Sequence, residues 1–520
     1  MTFEIKYSDL AGRIGKLATP KGEIETPAFI PVVHPVKQSI SPQFLKSLGF
    51  DAIITNAYIA LGHYGKEAVK KGIHEIVGFD GAIMTDSGGY QVLEYGSIEV
   101  GASDIAEFER DIKSDICVPL DKPTGYGLDH QTANSYVEET IRNAKKTIEI
   151  IGEPNKNSAN SPLWLGPVQG AEHIDLVQKS ATLLDEMGYQ MFALGSPVQL
   201  MEAYEFAILA DIIATLKRTI PTKPIHLFGA GHPLTIPLAI SLGCDTFDSA
   251  SYVLYARDNR YMHQNGTLRL EDLTYFSCQC PVCTSFTVKE LQEMERETRI
   301  NELAKHNLYV LRAEVLAVKQ AIRDGRLWEY VTQKSQAHPK LREAILNFPN
   351  YEFLELGTPI FKKKAIYFYE PLDQYRPEAR RFRSMILRFK TRKEGNLILF
   401  PEGQVAPFFS SKAFHKLSVK FPNDQICTYN PYIGIIPAEV SDIFPAAHKI
   451  TTKDKEPVYA SDDFPTFRDS FANFIESSDF KNIIVVADTF MKTIVRDYKP
   501  DNNAVSITVM DYHHKVIETM

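Results

Sequence analysis

Residues 82–91, AIMTDSGGYQ, and 244–252, CDTFDSASY, each carry a short apolar run that breaks at an aspartate into Gly, Ser and Tyr. Asp86 and Asp248 are thus carboxylates at strand ends, beside small residues that let a ligand approach the backbone. The same punctuation recurs at PAFIPVV (27–33), DAIITN (51–56), GAIMTD (81–86), DICVPLD (115–121), LWLGPVQ (163–169), MFALG (191–195), IHLFG (225–229) and CDTFD (244–248). Amphipathic stretches of helical length separate most of these runs. In 133–151, Tyr136, Thr140, Ala144, Ile148 and Ile151 repeat on one face. Runs this apolar fit strands buried on both faces, and their alternation with helices implies parallel βαβ units. Eight such units predict an α/β fold closed as a (β/α)8 TIM barrel.

In such a barrel, polar groups at the C-terminal ends of the strands gather at one mouth, where catalytic residues assemble. Those ends supply Asn56, Asp86, Asp121, Gln169, Gly195, Gly229 and Asp248. A polar residue can end a strand merely because a loop follows. Three aspartates and a glutamine at the same end favour a reaction site.

At 520 residues the chain exceeds one barrel of roughly 250 residues, so further domains are expected. The expected division is a barrel over 1–345 with a metal-binding part at about 270–310, a basic α+β domain over 346–435 and a small α/β domain over 436–520. Hydrophobic content of 44% and charged content of 23% are ordinary for a globular protein. No apolar run approaches the ~20 residues of a membrane span, and the opening MTFEIKYSDL lacks a signal-peptide pattern. A cytoplasmic protein is the expectation. The net charge of −8 hides a local excess: residues 362–393 hold eleven Lys/Arg against three Asp/Glu. That segment reads either as a phosphate-binding surface or as a solvated basic face.

Six cysteines do not make a disulfide framework in so long a chain, but Cys278, Cys280 and Cys283 form C-x-C-x2-C, with His306 downstream after a charged helical stretch. Three thiolates and an imidazole suit one tetrahedral zinc ion, and a complete ligand set makes the metal structural. The alternative is a chance cluster of thiols. Cys117, Cys244 and Cys427 are isolated and read as small core residues.

TDSGGYQ (85–91), VQG (168–170), FDSASY (247–252), the cysteine cluster with its histidine, and IRDGRLWEY (322–330) together resemble the tRNA-guanine transglycosylases, in the family's order over residues 1–340. The long C-terminal part resembles the archaeal type. The resemblance implies a zinc-containing barrel enzyme that exchanges guanine at position 15 in the tRNA D-arm for 7-cyano-7-deazaguanine, in archaeosine biosynthesis. It implies Asp248 as nucleophile toward ribose C1′, with retention of the phosphodiester chain, and Asp86 as general acid/base. It further implies Asp121 as acceptor for the guanine ring NH and amine, and the Gln169 amide and Gly195 backbone NH as donors to its carbonyl. Tyr90 and Phe228 would sandwich the ring, and Ser196, Pro197 and Val198 would surround the 7-substituent. Arg257 and Arg260, after the Asp248 strand, are expected to meet flanking phosphates, and Asp245 to support the strand.

By the same resemblance the partners are tRNA, guanine and 7-cyano-7-deazaguanine, with a homodimer through the zinc-bearing region. No PUA RNA-binding domain is evident, so a separate PUA-bearing protein is one candidate for the D-arm contact. The rival readings are an amidine-forming paralogue, a non-catalytic tRNA-binding subunit and a transglycosylase acting on DNA. Retention of both Asp86 and Asp248 argues against the first two, whereas the core motifs leave the third open.

Overall fold

Three strands precede the first of the apolar runs. β1 (Phe3–Asp9), β2 (Gly12–Thr19) and β3 (Gly22–Thr26) form an antiparallel sheet that the apolar pattern does not mark. The computed structural model describes residues 3–89, 100–152, 161–390, 395–402, 407–451, 460–498 and 505–511, and the chain forms two compact units, Met1–Asn347 and Phe348–Met520.

In the first unit the eight apolar runs become β4 (Ala28–Pro31), β5 (Ala52–Asn56), β6 (Ala82–Asp86), β7 (Ile116–Cys117), β8 (Leu163–Val168), β9 (Met191–Leu194), β10 (Ile225–Leu227) and β11 (Thr246–Ser249). They lie in one parallel sheet in the order β4-β11-β10-β9-β8-β7-β6-β5. A parallel bridge between Val32 and Ile54, with Val33 N donating to Ile54 O at 2.8 Å, closes the ring. This is a (β/α)8 barrel.

Side chains of a strand alternate between its two faces. Ala52 and Ile54, Ala82 and Met84, Ile116 and Val118, Leu163 and Leu165, and Met191 and Ala193 are accordingly spaced by two and meet in one buried cluster inside the barrel. Leu17 and Ile24 of the N-terminal sheet join that cluster and extend it beyond the barrel strands. The sheet is tied to the barrel by a buried ion pair: Arg13 of β2 grips both oxygens of Asp245, with Nε 3.0 Å from Oδ1, and also donates to the carbonyls of Thr222 and Lys223. Asp245 receives Ile225 N as well, at 2.9 Å, which gives it the strand-support role expected of it.

The helix His130–Ile151 buries Ala133, Val137, Thr140, Ala144 and Thr147. Tyr136, Ile148 and Ile151 of the expected stripe lie at its margin, half-buried. Small residues let the helix approach the barrel more closely than the bulkier ones could.

The first unit continues through a hairpin, β12 (Arg260–His263) and β13 (Gly266–Arg269), to the 29-residue helix Arg296–Asp324. In the second unit β14 (Ile366–Phe368) pairs with β18 (Lys449–Thr451). β15 (Leu397–Pro401), β16 (Gln425–Asn430), β17 (Gly434–Pro437), β19 (Asn482–Ala487) and β20 (Ser506–Asp511) form a sheet in the order β17-β16-β15-β19-β20. Strands from both sides of residue 435 share this sheet and one apolar cluster, so the division expected there runs through a single core. Short helical turns at Phe348–Asn350 and Leu354–Gly357 precede β14.

The basic segment also differs from expectation. Lys362 and Arg376 are buried against Glu378, Arg383 donates to the carbonyls of Tyr432 and Gln374, Arg380 pairs with Glu355, and Arg381 bonds Pro359 O. These cations hold the unit together, and Lys363, Lys364, Arg388 and Lys390 remain on its surface.

Asp245→Ala strands the buried Arg13 guanidinium without its counter-charge, a loss of about 3–5 kcal/mol for a broken buried pair. The expected outcome is a lower urea midpoint with unchanged far-ultraviolet dichroism at low denaturant.

Candidate active site at the barrel mouth

Asp86 is the last residue of β6 and shares the inner face with Ala82 and Met84. Asn56 lies opposite it in register on β5 and donates Nδ2 to Oδ2 at 3.1 Å, while Gly88 N donates to Oδ1 at 3.2 Å. Burial above all, with the charge of nearby Asp248 adding to it, pushes the Asp86 pKa up to about 6 against these two donors. A carboxyl poised there can both give and take a proton near neutrality.

Asp248 arrives from β11 with Thr246 on the same face. Its Oδ1 receives Gly229 N at 3.1 Å and faces His226 Nε2 at 3.0 Å. His226 Nδ1 lies 2.9 Å from Thr246 Oγ1, its partner in register, and the ring meets Phe228 edge-on at 4.7 Å. Among the described residues Oδ2 has no hydrogen-bond partner. Within IHLFG the sequence marks Phe228 and Gly229 but not His226; the one signal was a basic ring interrupting an apolar run.

Asp121 follows β7. Burial, then the charge of Asp86, raises its pKa to about 7 against the hydrogen bond from Gln169 Nε2 to Oδ2, 2.5 Å long. Gln169 is fully buried, and its Oε1 accepts from Thr124 N, Thr124 Oγ1 and Ser196 Oγ at 2.9–3.2 Å. That network fixes which way the amide faces and aims it at Asp121; Thr124 is a second residue the sequence did not mark.

Both donors expected for the guanine carbonyl are engaged within the folded chain. Gln169 acts on Asp121 and does not line the cavity among the described residues, and Gly195 N already donates to Val168 O at 2.9 Å in the sheet ladder. The next amide belongs to Ser196, whose backbone is left-handed at φ 60° and which lines the cavity. Glycines make this packing possible. A Cβ on Gly195 would sit 2.1 Å from Gln169 Nε2, and one on Gly89 would sit 2.0 Å from Asp121 Oδ1.

Asp86, Asp121, Ser196, Pro197, Val198, Phe228 and Asp248 all face one cavity of about 1340 Å3. Lys37, Arg257 and Arg260 line it too; Arg257 donates to Ser39 Oγ at 3.3 Å, and Arg260 is partly neutralised by Asp258 at 2.8 Å. Tyr90 lies outside the described residues.

Away from the mouth, Cys278, Cys280, Cys283 and His306 bring their ligand atoms within 4.8 Å of one another. His306 projects from the long helix with Nδ1 toward the sulfurs, 3.4 Å from Cys280 Sγ and 3.3 Å from Cys283 Sγ, and Nε2 2.8 Å from Met262 O. A ring held by its distal nitrogen in this way is oriented as a metal ligand. Tyr261 stacks on it at 3.9 Å. Three thiols and an imidazole fit a metal ion in tetrahedral coordination.

Fold and site define a (β/α)8-barrel enzyme with buried carboxylates at its mouth and a separate Cys3His cluster. The sequence model of the family described as Queuine tRNA-ribosyltransferase matches residues 9–340. Proteins named tRNA-guanine(15) transglycosylase are similar over most of the chain. The one from Sulfolobus acidocaldarius is 40% identical over 464 residues, 88% of this chain and 90% of its own. That from Methanosarcina acetivorans is 42% identical over 451 residues, 85% and 86%, and that from Methanocaldococcus jannaschii 41% over 464 residues, 86% and 68%. The chain belongs to the tRNA-guanine transglycosylase family, in its archaeal type. No helix among the described residues is long and apolar enough to cross a membrane.

Raised carboxyl pKa values mean that the folded protein keeps protons on Asp86 and Asp121 that the unfolded chain releases near pH 4. Their contribution to stability is complete below that pH and is lost as pH rises through about 6 and 7. Urea titrations of the free protein from pH 4 to 8 are expected to show this decline, and Asp121→Asn to flatten it.

Proposed function

We propose that the protein exchanges guanine at position 15 of tRNA for 7-cyano-7-deazaguanine, through a covalent bond between Asp248 and ribose C1′. The observation that carries this reading is the pair of carboxylates in one cavity with different surroundings. Asp248 is held by two donors on one oxygen, and Asp86 is tuned toward proton transfer. The names of the relatives supply the tRNA and the position.

Breaking the bond from C1′ to the base passes through an oxocarbenium-like state, and a carboxylate on the opposite face can capture that carbon. Asp248 Oδ2 does so, and Asp86 protonates the departing guanine. Asp86 then takes the proton from the incoming base nitrogen as that nitrogen attacks C1′ and releases Asp248.

Recognition follows from the guanine edge. Asp121 accepts from the ring NH and the amine, and gives up its proton as those donors arrive. Gln169 holds Asp121 in place, and Ser196 N donates to the carbonyl. Phe228 stacks on one face of the ring. Pro197 and Val198 present an apolar wall that suits a nitrile. Lys37, Arg257 and Arg260 meet phosphates beside the exchanged nucleotide.

Cys278, Cys280, Cys283 and His306 hold a structural zinc ion, which ties the segment after β13 to the long helix and supplies no reacting group.

Incubation of tRNA with labelled guanine tests the reading. Label is expected to enter at position 15 only, to be displaced by 7-cyano-7-deazaguanine, and to fall below detection with Asp248→Ala, while Asp86→Asn lowers the rate by roughly 10²–10⁴-fold. Exchange surviving in Asp248→Ala would overturn the nucleophile assignment.

Metal analysis is expected to find one zinc per chain. Chelation should lower the melting temperature, and a Cys278→Ser, Cys280→Ser, Cys283→Ser variant should bind no zinc tightly.

A further inference from the structure

We propose that His226 is a positioning residue that supports Asp248 as a leaving group, so that it acts mainly in the second half of the exchange. The inference rests on the reading of Asp248 as nucleophile.

His226 is wholly buried and touches Asp248 from behind the cavity wall. An ionised carboxylate can only accept, so His226 Nε2 carries the proton. In a neutral imidazole the other nitrogen then accepts, and the buried Thr246 hydroxyl donates to it. Thr246 thereby fixes the tautomer that His226 needs. Both donors to Asp248, His226 Nε2 and Gly229 N, converge on Oδ1. The two oxygens are therefore unequal: Oδ1 is clamped, and Oδ2 is left to react.

In the first half of the reaction the bond from C1′ to guanine breaks, its electron pair leaves with the base, and Asp86 supplies the proton. A bond from Oδ2 to C1′ forms, and Oδ1 becomes an ester carbonyl. In the second half Asp86 takes the proton of the incoming base, the freed nitrogen pair bonds to C1′, the bond from C1′ to Oδ2 breaks, and its electrons return to the carboxylate. Negative charge reappears on Asp248 in that second step, and the His226 and Gly229 donors bind charge more strongly than an ester carbonyl. In the first half they already hold the charged reactant. Loss of His226 leaves a more basic carboxylate, which attacks as well but departs less readily.

The test separates the two halves by rapid quench on denaturing gels, following formation of the protein–RNA adduct from tRNA and its decay on addition of guanine. For His226→Ala, decay is expected to slow roughly 10- to 100-fold, the range for a hydrogen bond to a charged group, with formation little changed and adduct accumulating. His226→Gln, which retains a side-chain N–H, should recover much of the decay rate. Thr246→Val should slow decay in the same direction by a smaller factor. These two variants carry the test if His226→Ala does not fold. Equal slowing of both halves, or unchanged decay, would overturn the role of His226 while leaving Asp248 as nucleophile. Absence of any adduct from the wild-type protein would overturn both.

Discussion

Everything at the mouth of this barrel depends on the alternation of side chains along strands that are locked into a closed ring. Once Met84 and Ala82 are inside, Asp86 must be inside too. The same phase turns Thr246 and Asp248 inward from β11 and brings His226 of β10 against both. The apolar interior built on Leu17, Ile24 and the other strands thus grades into a polar layer at the end where the strands stop. Asp86 and Asp248 stand on rigid strand ends, which hold geometry better than loops.

Crowding three carboxylates into one cavity has an electrostatic cost that the surroundings divide unequally. Gly229 N and His226 Nε2 converge on a single oxygen of Asp248, whereas burial pushes Asp86 and Asp121 toward their protonated forms, helped by the charge of Asp248 at Asp86 and that of Asp86 at Asp121. Carboxyl groups of one kind thereby acquire distinct protonation and hydrogen-bonding environments within a single cavity. Glycines at 89 and 195 are part of the same arrangement. Any side chain there would fill the space that Asp121 and Gln169 occupy.

The second unit shows how charge can mislead when read along the chain. Eleven basic residues in 362–393 suggest a phosphate surface, yet Lys362, Arg376, Arg380, Arg381 and Arg383 are engaged within the unit. The buried Arg383 guanidinium bridges the carbonyls of Tyr432 and Gln374. A linear count cannot distinguish such bridges from an exposed face.

Local pattern in the sequence was sufficient to locate all eight barrel strands, the ends that carry Asp86, Asp121 and Asp248, and the Cys3His group, because each of these is written within a few consecutive residues or a distinctive spacing. Hydrogen-bond direction was beyond it. That Gly195 N is consumed by the sheet, that Ser196 offers the next amide, that Gln169 faces Asp121, and that His226 and Thr246 stand behind Asp248 are set by contacts between strands. The same holds for the strand pairing across residue 435, which joins segments far apart in the chain. A donor has few places to send its hydrogen, and which place it takes is decided only when tertiary packing brings the partner within about 3 Å.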